Sequence, residues 1–155
     1  MIGKAFNLDE AAFPRITSPQ LASLEKSLGA QLGTLYKHVE TPIAAPWKSD
    51  FASVYFVVSG PCSDKAREAV KGVLGANLER TDSTDAATLL FAIPSSTAGK
   101  YTRVEVHECK TKAELDCTKF YLSYGDLGAI LSLLARVHGF TLGTKGLKVI
   151  ALTFL

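Results

Sequence analysis

Residues 54–58 read VYFVV, an unbroken run of β-branched and aromatic side chains in a chain of 155 residues. Such a run is typical of a buried strand. A second apolar run, LLFAI, occupies residues 89–93. A third segment, residues 101–109, alternates valines with polar residues, as a strand with two different faces does. We therefore predict a sheet that contains residues 54–58, 89–93 and 102–108.

Segments with helical periodicity flank these strands. Ser18 and Pro19 suit a helix start, and leucines then recur at helical spacing through Val39, which predicts a helix over residues 19–39. A second helix is predicted to open at Ser63 and Asp64 and to carry apolar residues through Leu74. A third follows the capping box that begins at Thr111 and runs through Phe120 or Leu122, and a fourth covers residues 127–138. The mixture predicts an α/β or α+β fold, a mixed sheet with helices 19–39 and 127–138 packed on it.

The chain is expected to form one domain with a short N-terminal arm. Residues 1–17 read as a loosely held arm, with Phe13-Pro14 and Ile16 as possible anchors, and residues 18–155 as the domain. The last segment, residues 147–155, is apolar and is predicted to form a closing strand. An apolar strand left uncovered favours pairing with another chain, so we expect self-association or a protein partner there.

Composition excludes several classes of protein. The net charge is +2 without runs of like charge, so no nucleic-acid signature is present. Acidic residues come too early for a signal peptide, and no apolar stretch approaches the roughly 20 residues that span a bilayer. The spacing of Cys62, Cys109 and Cys117 suits reduced thiols. We expect an intracellular protein, cytoplasmic or nuclear, that is neither secreted nor in a membrane.

The C-terminal part carries three motifs in a fixed order. Residues 124–131 read YGDLGAIL, residues 139–142 read GFTL and residues 145–149 read KGLKV. This order resembles fungal nucleotidyltransferase-like proteins, which have a (Tyr/His)-Gly-Asp-Leu helix start, a Gly-Leu-Thr turn and a closing Gly-Leu-hydrophobic strand. The similarity extends to residues 103–109 (RVEVHEC) and residues 50–61, and so covers roughly residues 18–149. It implies the palm fold of nucleotidyltransferases.

The resemblance also implies where catalytic residues should stand. Nucleotidyl transfer in that family uses two metal ions held by three carboxylates, two of them in an Asp-x-Asp pair on the first core strand. Ser53 and Tyr55 occupy those two positions, and neither a hydroxyl nor a phenol supplies the charge that a metal needs. Residues 44–48 (AAPWK) replace the expected Gly-Ser element. We therefore expect a degenerate site without a cofactor, and Mg²⁺ only if the site is active.

Three acidic residues remain as candidates for catalysis. Glu105 matches the third acidic position, so it is either a remnant metal ligand or an outward-facing charge on a half-exposed strand. Asp50 is either a partial substitute for a lost ligand or a turn residue. Asp126 is either a catalytic acid or the cap of its helix. We expect Glu105 on the same sheet face as Ser53 and Tyr55.

Three functions remain open from the sequence. The first is a catalytically degenerate nucleotidyltransferase-like domain that retains nucleotide or protein binding. The second is an active metal-dependent nucleotidyltransferase with a site rearranged around Asp50, Glu105 and Asp126. The third is a non-catalytic protein-interaction module that uses the fold as a scaffold. Because family members continue beyond the closing strand into a helical region, we also expect a truncated product or a minimal palm.

Overall fold

A computed structural model provides the coordinates for this chain. It describes residues 6, 8–43, 47–61, 66–76, 78–81, 88–124, 126–144 and 146–150. For residues 66, 67, 78–81 and 126 it describes the backbone alone.

The described elements alternate between strands and helices. They are a 3-10 turn (Glu10–Ala12), β1 (Ile16–Thr17), α1 (Ser18–Leu32), β2 (His38–Glu40), β3 (Asp50–Phe51), β4 (Val54–Ser59), α2 (Ala66–Leu74), β5 (Leu78–Thr81), β6 (Thr88–Pro94), β7 (Tyr101–Cys109), α3 (Lys112–Ser123), α4 (Asp126–Val137), β8 (Phe140–Gly143) and β9 (Gly146–Val149). The fold is therefore α+β, as the sequence predicted.

The main sheet has five strands in the order β2-β4-β7-β6-β5. All its pairings are antiparallel except that of β4 with β7, which is parallel. The three strands predicted from the apolar runs are the three central strands, so this part of the prediction is confirmed. Two small sheets accompany it, β1 with β3 and β8 with β9.

One face of the main sheet is covered by α1 and α2. Alternate residues of β4, β6 and β7 meet the apolar stripes of the two helices there because successive strand residues point to opposite faces. The fully buried members of this core include Leu32, Val54, Phe56, Val70, Phe91, Val104 and Val106. This is the largest apolar cluster of the described residues, and it fixes the position of β4 beside β7.

The opposite face is covered at its two ends by different elements. At one end Phe6 and Phe13 pack against Leu90 and Ala92 of β6. At the other end, Leu115 of α3 packs against β4 and β7 through Val57 and Cys109. Side chains along the middle of β7 on this face are polar. Of the expected anchors of the N-terminal arm, Phe13 and Ile16 are buried, whereas Pro14 is exposed.

The predicted helix over residues 19–39 is too long at its C-terminal end. α1 ends at Leu32, and residues 38–40 form β2, which pairs with β4 in antiparallel register. The backbone N–H groups of residues 33–35 donate hydrogen bonds to carbonyls three or four residues earlier, and this turn directs the chain back toward the sheet. Gly60 allows β4 to end against this turn, because it has a φ of 122° and a Cβ there would lie 2.6 Å from the Lys37 Cβ.

The edge strand β2 is tied to α3 by charge. The carboxylate of Glu40 accepts hydrogen bonds from Lys112 Nζ at 2.6 Å and from Lys119 Nζ at 2.5 Å. These two bonds lower the pKa of Glu40 to about 2, the bond from Lys112 contributing most. Lys112 also binds Asp116 one helical turn further along α3.

α4 forms as predicted, but it does not pack where it was expected. It lies mainly against β8 rather than on the main sheet, and its Ser132 Oγ donates to the Leu142 carbonyl at 2.9 Å. Gly128 permits close approach to α3, because a Cβ there would be 3.2 Å from the Tyr121 carbonyl oxygen. α4 and the hairpin formed by β8 and β9 thus extend the domain to one side.

The predicted closing strand is described only in part. β9 covers residues 146–149 and pairs with β8, whereas residues 151–155 lie outside the described part of the chain. Leu147 and Val149 on β9 are exposed. Among the helices that the structure describes, none is long and apolar enough to cross a membrane.

Candidate functional site

A polar cluster lies on the face of the sheet that carries α3. Tyr55 on β4 is the direct partner of Glu105 on β7 in the parallel register, so their side chains share one face. Ser53 precedes Tyr55 by two residues and is close enough to influence its pKa. The expectation that Ser53, Tyr55 and Glu105 lie on one face agrees with this register.

Glu105 is buried, and its charge is paired. Only 7% of the residue is exposed, so the alternative of an outward charge on a half-exposed strand is wrong. The reason is that both ends of this sheet face are covered, which removes the middle of β7 from solvent. Arg103 Nη2 lies 2.8 Å from Glu105 Oε1, an ion-pair distance, although the contact lacks the angles of a hydrogen bond.

The phenol of Tyr55 is held in its neutral form. Burial raises the pKa of Tyr55 above its ordinary value, and the negative charge of Glu105 raises it further. The ring stacks on that of His107, with centroids 6.3 Å apart and planes 16° from parallel. His107 Nδ1 lies 3.1 Å from Thr88 Oγ1. Tyr55 is therefore a fixed, uncharged group in the middle of the cluster.

Ser53 carries a buried hydroxyl beside the Tyr55 phenol, without a well-aligned hydrogen bond. The residue is 3% exposed, and its Oγ has no hydrogen-bond partner of ordinary geometry among the described residues. Most buried side-chain polar atoms have a partner, since a buried hydroxyl without one costs about 1–3 kcal/mol. Ser53 thus stands out among the residues at the start of β4.

Ser53 and Tyr55 form part of the wall of a cavity of about 580 Å³. The cavity lies where the start of α1, the connector into β3 and β4, and the end of α3 approach one another. Its other lining residues are Leu21, Glu25, Pro42, Ile43, Trp47, Lys48, Phe51, Leu122, Ser123, Tyr124 and Leu127. Its size is within the range of roughly 300–1,000 Å³ that is usual for small-molecule sites.

Aromatic rings and two charged groups give this cavity its chemistry. Trp47 is 86% exposed and Tyr124 45% exposed, so both rings are accessible. Lys48 Nζ lies 5.4 Å from the centre of the Phe51 ring. Burial raises the pKa of the Glu25 carboxyl, which also lines the cavity. The cavity therefore combines planar apolar surfaces with a cation and a carboxyl.

Of the other two acidic candidates, Asp50 does not join the cluster. Asp50 lies in β3, about half exposed, and its Oδ1 accepts a hydrogen bond from Arg15 Nε at 2.8 Å. It is thus neither a turn residue nor part of the cavity wall. Asp126 begins α4, and its side chain lies outside the part of the chain that the structure describes.

The donors present do not fit a magnesium site. Mg²⁺ prefers charged oxygen ligands in octahedral geometry, whereas this cluster offers a neutral hydroxyl, a neutral phenol and a carboxylate already paired with Arg103. Within the described ranges, no group of three His, Cys, Asp or Glu side chains could hold a metal ion.

The sequence reasoning missed three residues of this region. The motif RVEVHEC gave no sign that Arg103 pairs with Glu105, and no pattern indicated Trp47 and Tyr124 as ligand contacts. The one available signal was Trp47, the single tryptophan of the chain, placed in a connector rather than in a core segment.

Compared with known proteins, the chain matches no protein-family model and no curated protein.

Proposed function

We propose that this domain is a nucleotidyltransferase-like palm that binds a nucleotide without transferring it. The observation that carries the proposal is the buried Ser53 hydroxyl, which has no well-aligned hydrogen bond, on the wall of a cavity that also presents exposed aromatic rings. A hydroxyl with spare hydrogen-bonding capacity at such a wall is suited to fix the orientation of a polar, planar ligand.

The pairing of β4 with β7 supports the palm. The resemblance assigns three acidic positions to two different strands, and these positions are here Ser53, Tyr55 and Glu105. A palm requires the two strands to be neighbours so that the three positions converge. The parallel register with Tyr55 opposite Glu105 meets that requirement.

The cavity supports a nucleotide as the ligand. Any nucleic-acid base can stack on an aromatic side chain, which contributes about 1–3 kcal/mol of binding free energy per base. Trp47 and Tyr124 offer such surfaces. The ammonium group of Lys48 supplies a positive charge for a phosphate group. The hydroxyl of Ser53 can donate to or accept from a base or a ribose.

The charges of the cluster argue against transfer. Catalysis in this family depends on carboxylates that hold two metal ions, and two of those positions carry neutral groups. The third, Glu105, is neutralised by Arg103. Losing several kcal/mol of transition-state stabilisation lowers a rate tenfold for about every 1.36 kcal/mol.

The single tryptophan provides a direct binding assay. Fluorescence of Trp47 is titrated with ATP, GTP, CTP and UTP, each with and without Mg²⁺. We expect quenching by at least one nucleotide, with little dependence on Mg²⁺. Ser53→Ala should weaken binding about tenfold, because one hydrogen bond is lost. Ser96→Ala, an exposed serine between β6 and β7, is the matched control and should bind as the unaltered chain does.

Two results would contradict the proposal. The first is the absence of any fluorescence or calorimetric signal with all four nucleotides at millimolar concentration. The second is transfer of labelled nucleotide in the presence of Mg²⁺ or Mn²⁺ that disappears in Glu105→Ala. That result would favour the rearranged active site instead.

We further propose an intracellular location, cytoplasmic or nuclear, on the basis of the cysteine content.

A further inference from the structure

The outward side of α4 carries a row of exposed leucine, isoleucine and valine. Leu127, Ile130, Leu134 and Val137 are 46%, 53%, 54% and 81% exposed. They are spaced by three, four and three residues, the a and d spacing of a two-helix seam. We name these four residues the α4 seam. Leu133, 63% exposed, lies at its border.

The rest of α4 explains why the seam has no cover within the described fold. The packed side of α4 contains Gly128, which approaches Tyr121 of α3, and Ser132, which donates to the Leu142 carbonyl. At about 100° per residue the seam points well away from that side. Arg136, the basic residue of α4, lies about 140° around the helix from the centre of the seam.

We infer that the α4 seam is the interface of a symmetric dimer of this chain. A two-fold interface uses the same patch on both copies, so the patch must be self-complementary. An uncharged row at a and d spacing meets this condition, because its knobs fit between those of an identical row and no like charges oppose each other. The inference rests on observations other than nucleotide binding, although Leu127 lies both in the seam and in the cavity wall.

The area of the patch is adequate for a dimer. The patch continues from the α4 seam through Tyr124 to Phe120, whose rings are 4.8 Å apart, and both are about half exposed. Together with Leu133 the patch contains seven large apolar side chains that are each 45–81% exposed, so its area is on the order of the ~800 Å² that each partner contributes to a standard interface.

The inference is tested by sedimentation velocity of the full chain under reducing conditions, which prevent disulfides through the exposed Cys117. At a concentration of about 100 µM we expect a species of twice the 16.6 kDa of one chain. Leu134→Glu should be monomeric at the same concentration, since two buried carboxylates would then face each other. Arg136→Glu, on the same helix but outside the seam, should remain dimeric.

Circular dichroism checks that each variant is folded, and Ile130→Gln provides a second, milder disruption. Neither Leu134 nor Ile130 lines the cavity, so at a dilution where the unaltered chain is also monomeric both variants should bind nucleotide as it does, and the two proposals can fail separately. A monomeric unaltered chain, or a Leu134→Glu variant that still dimerises, would overturn the inference. So would a species larger than a dimer, or a monomer that binds phosphatidylcholine vesicles through this face.

Discussion

The buried pair of Arg103 and Glu105 offers a quantitative test of the cluster. Their side chains are 19% and 10% exposed, and their charged atoms are 2.8 Å apart. Arg103→Met removes the positive charge and keeps much of the apolar stem. The carboxylate of Glu105 then stays in a site that excludes most solvent and has lost its counter-charge. Breaking such a buried pair typically costs about 3–5 kcal/mol.

The chemistry of the carboxyl group sets a ceiling on this loss. A glutamic acid in water titrates near pH 4.3, so keeping it protonated at pH 7 costs about 3.7 kcal/mol. A carboxylate that cannot be tolerated as a charge will take up a proton instead, so the expected loss for Arg103→Met at pH 7 is about 2–4 kcal/mol. At pH 5 the same ceiling falls to about 1 kcal/mol, because protonation there is nearly free.

The assay is urea unfolding followed by circular dichroism at pH 7 and pH 5. Arg103→Met should lose most of its stability deficit at pH 5. Adding Glu105→Gln to the same variant should restore stability at pH 7, because the unpaired charge is removed. Arg136→Met, which alters an exposed arginine, should match the unaltered chain within about 0.5 kcal/mol. A deficit that is independent of pH, or that Glu105→Gln does not relieve, would refute the reasoning and point to packing by the arginine stem.

Three further variants test other parts of the fold. The pKa of Glu40 is lowered to about 2, so in unfolding experiments the unaltered chain should be more stable than Glu40→Gln above about pH 5. This difference in the free energy of unfolding should vanish as the pH falls toward 2. We expect it to be about 1 kcal/mol, since the Glu40 side chain is 30% exposed and solvent screens its charge. Gly60→Ala should cost about 2–4 kcal/mol in urea unfolding, from its positive φ and the contact with Lys37, whereas Gly72→Ala in open space within α2 should gain about 0.5–1 kcal/mol; equal effects would contradict this. In an absorbance titration of the five tyrosines, Tyr55→Phe should remove a phase at high pH, and loss of an early phase would be inconsistent with its raised pKa.

The central strands were predictable because their signal is strong and local. Residues 54–58 and 89–93 are continuous apolar runs, and such runs are buried wherever the fold places them. The helix over residues 19–39 was extended too far because Leu35 and Val39 keep helical spacing past the turn that begins at Gly33. The short strands β1 and β3 have two residues each, too few for any periodicity.

The candidate site was predictable in one respect and not in others. Strand alternation and the resemblance together brought Tyr55 and Glu105 to one face, as the register agrees. The burial of Glu105 depends on the elements that cover both ends of that face, which lie far away in sequence. The cavity is built from α1, from the connector through β4, and from the end of α3 with the start of α4, so no local pattern could indicate that Trp47 and Tyr124 share it.

The mixed directions of the central strands bear on the order in which the chain folds. β6 and β7 are antiparallel neighbours joined by a short loop, so their pairing closes a small loop and can form early. β4 joins β7 in parallel, with Val54 opposite Val104. This contact links residues about fifty positions apart, with α2, β5 and β6 between them in the sequence, so it closes a much longer loop. The cavity wall at Ser53 and Tyr55 is therefore completed after the hairpin of β6 and β7 has formed.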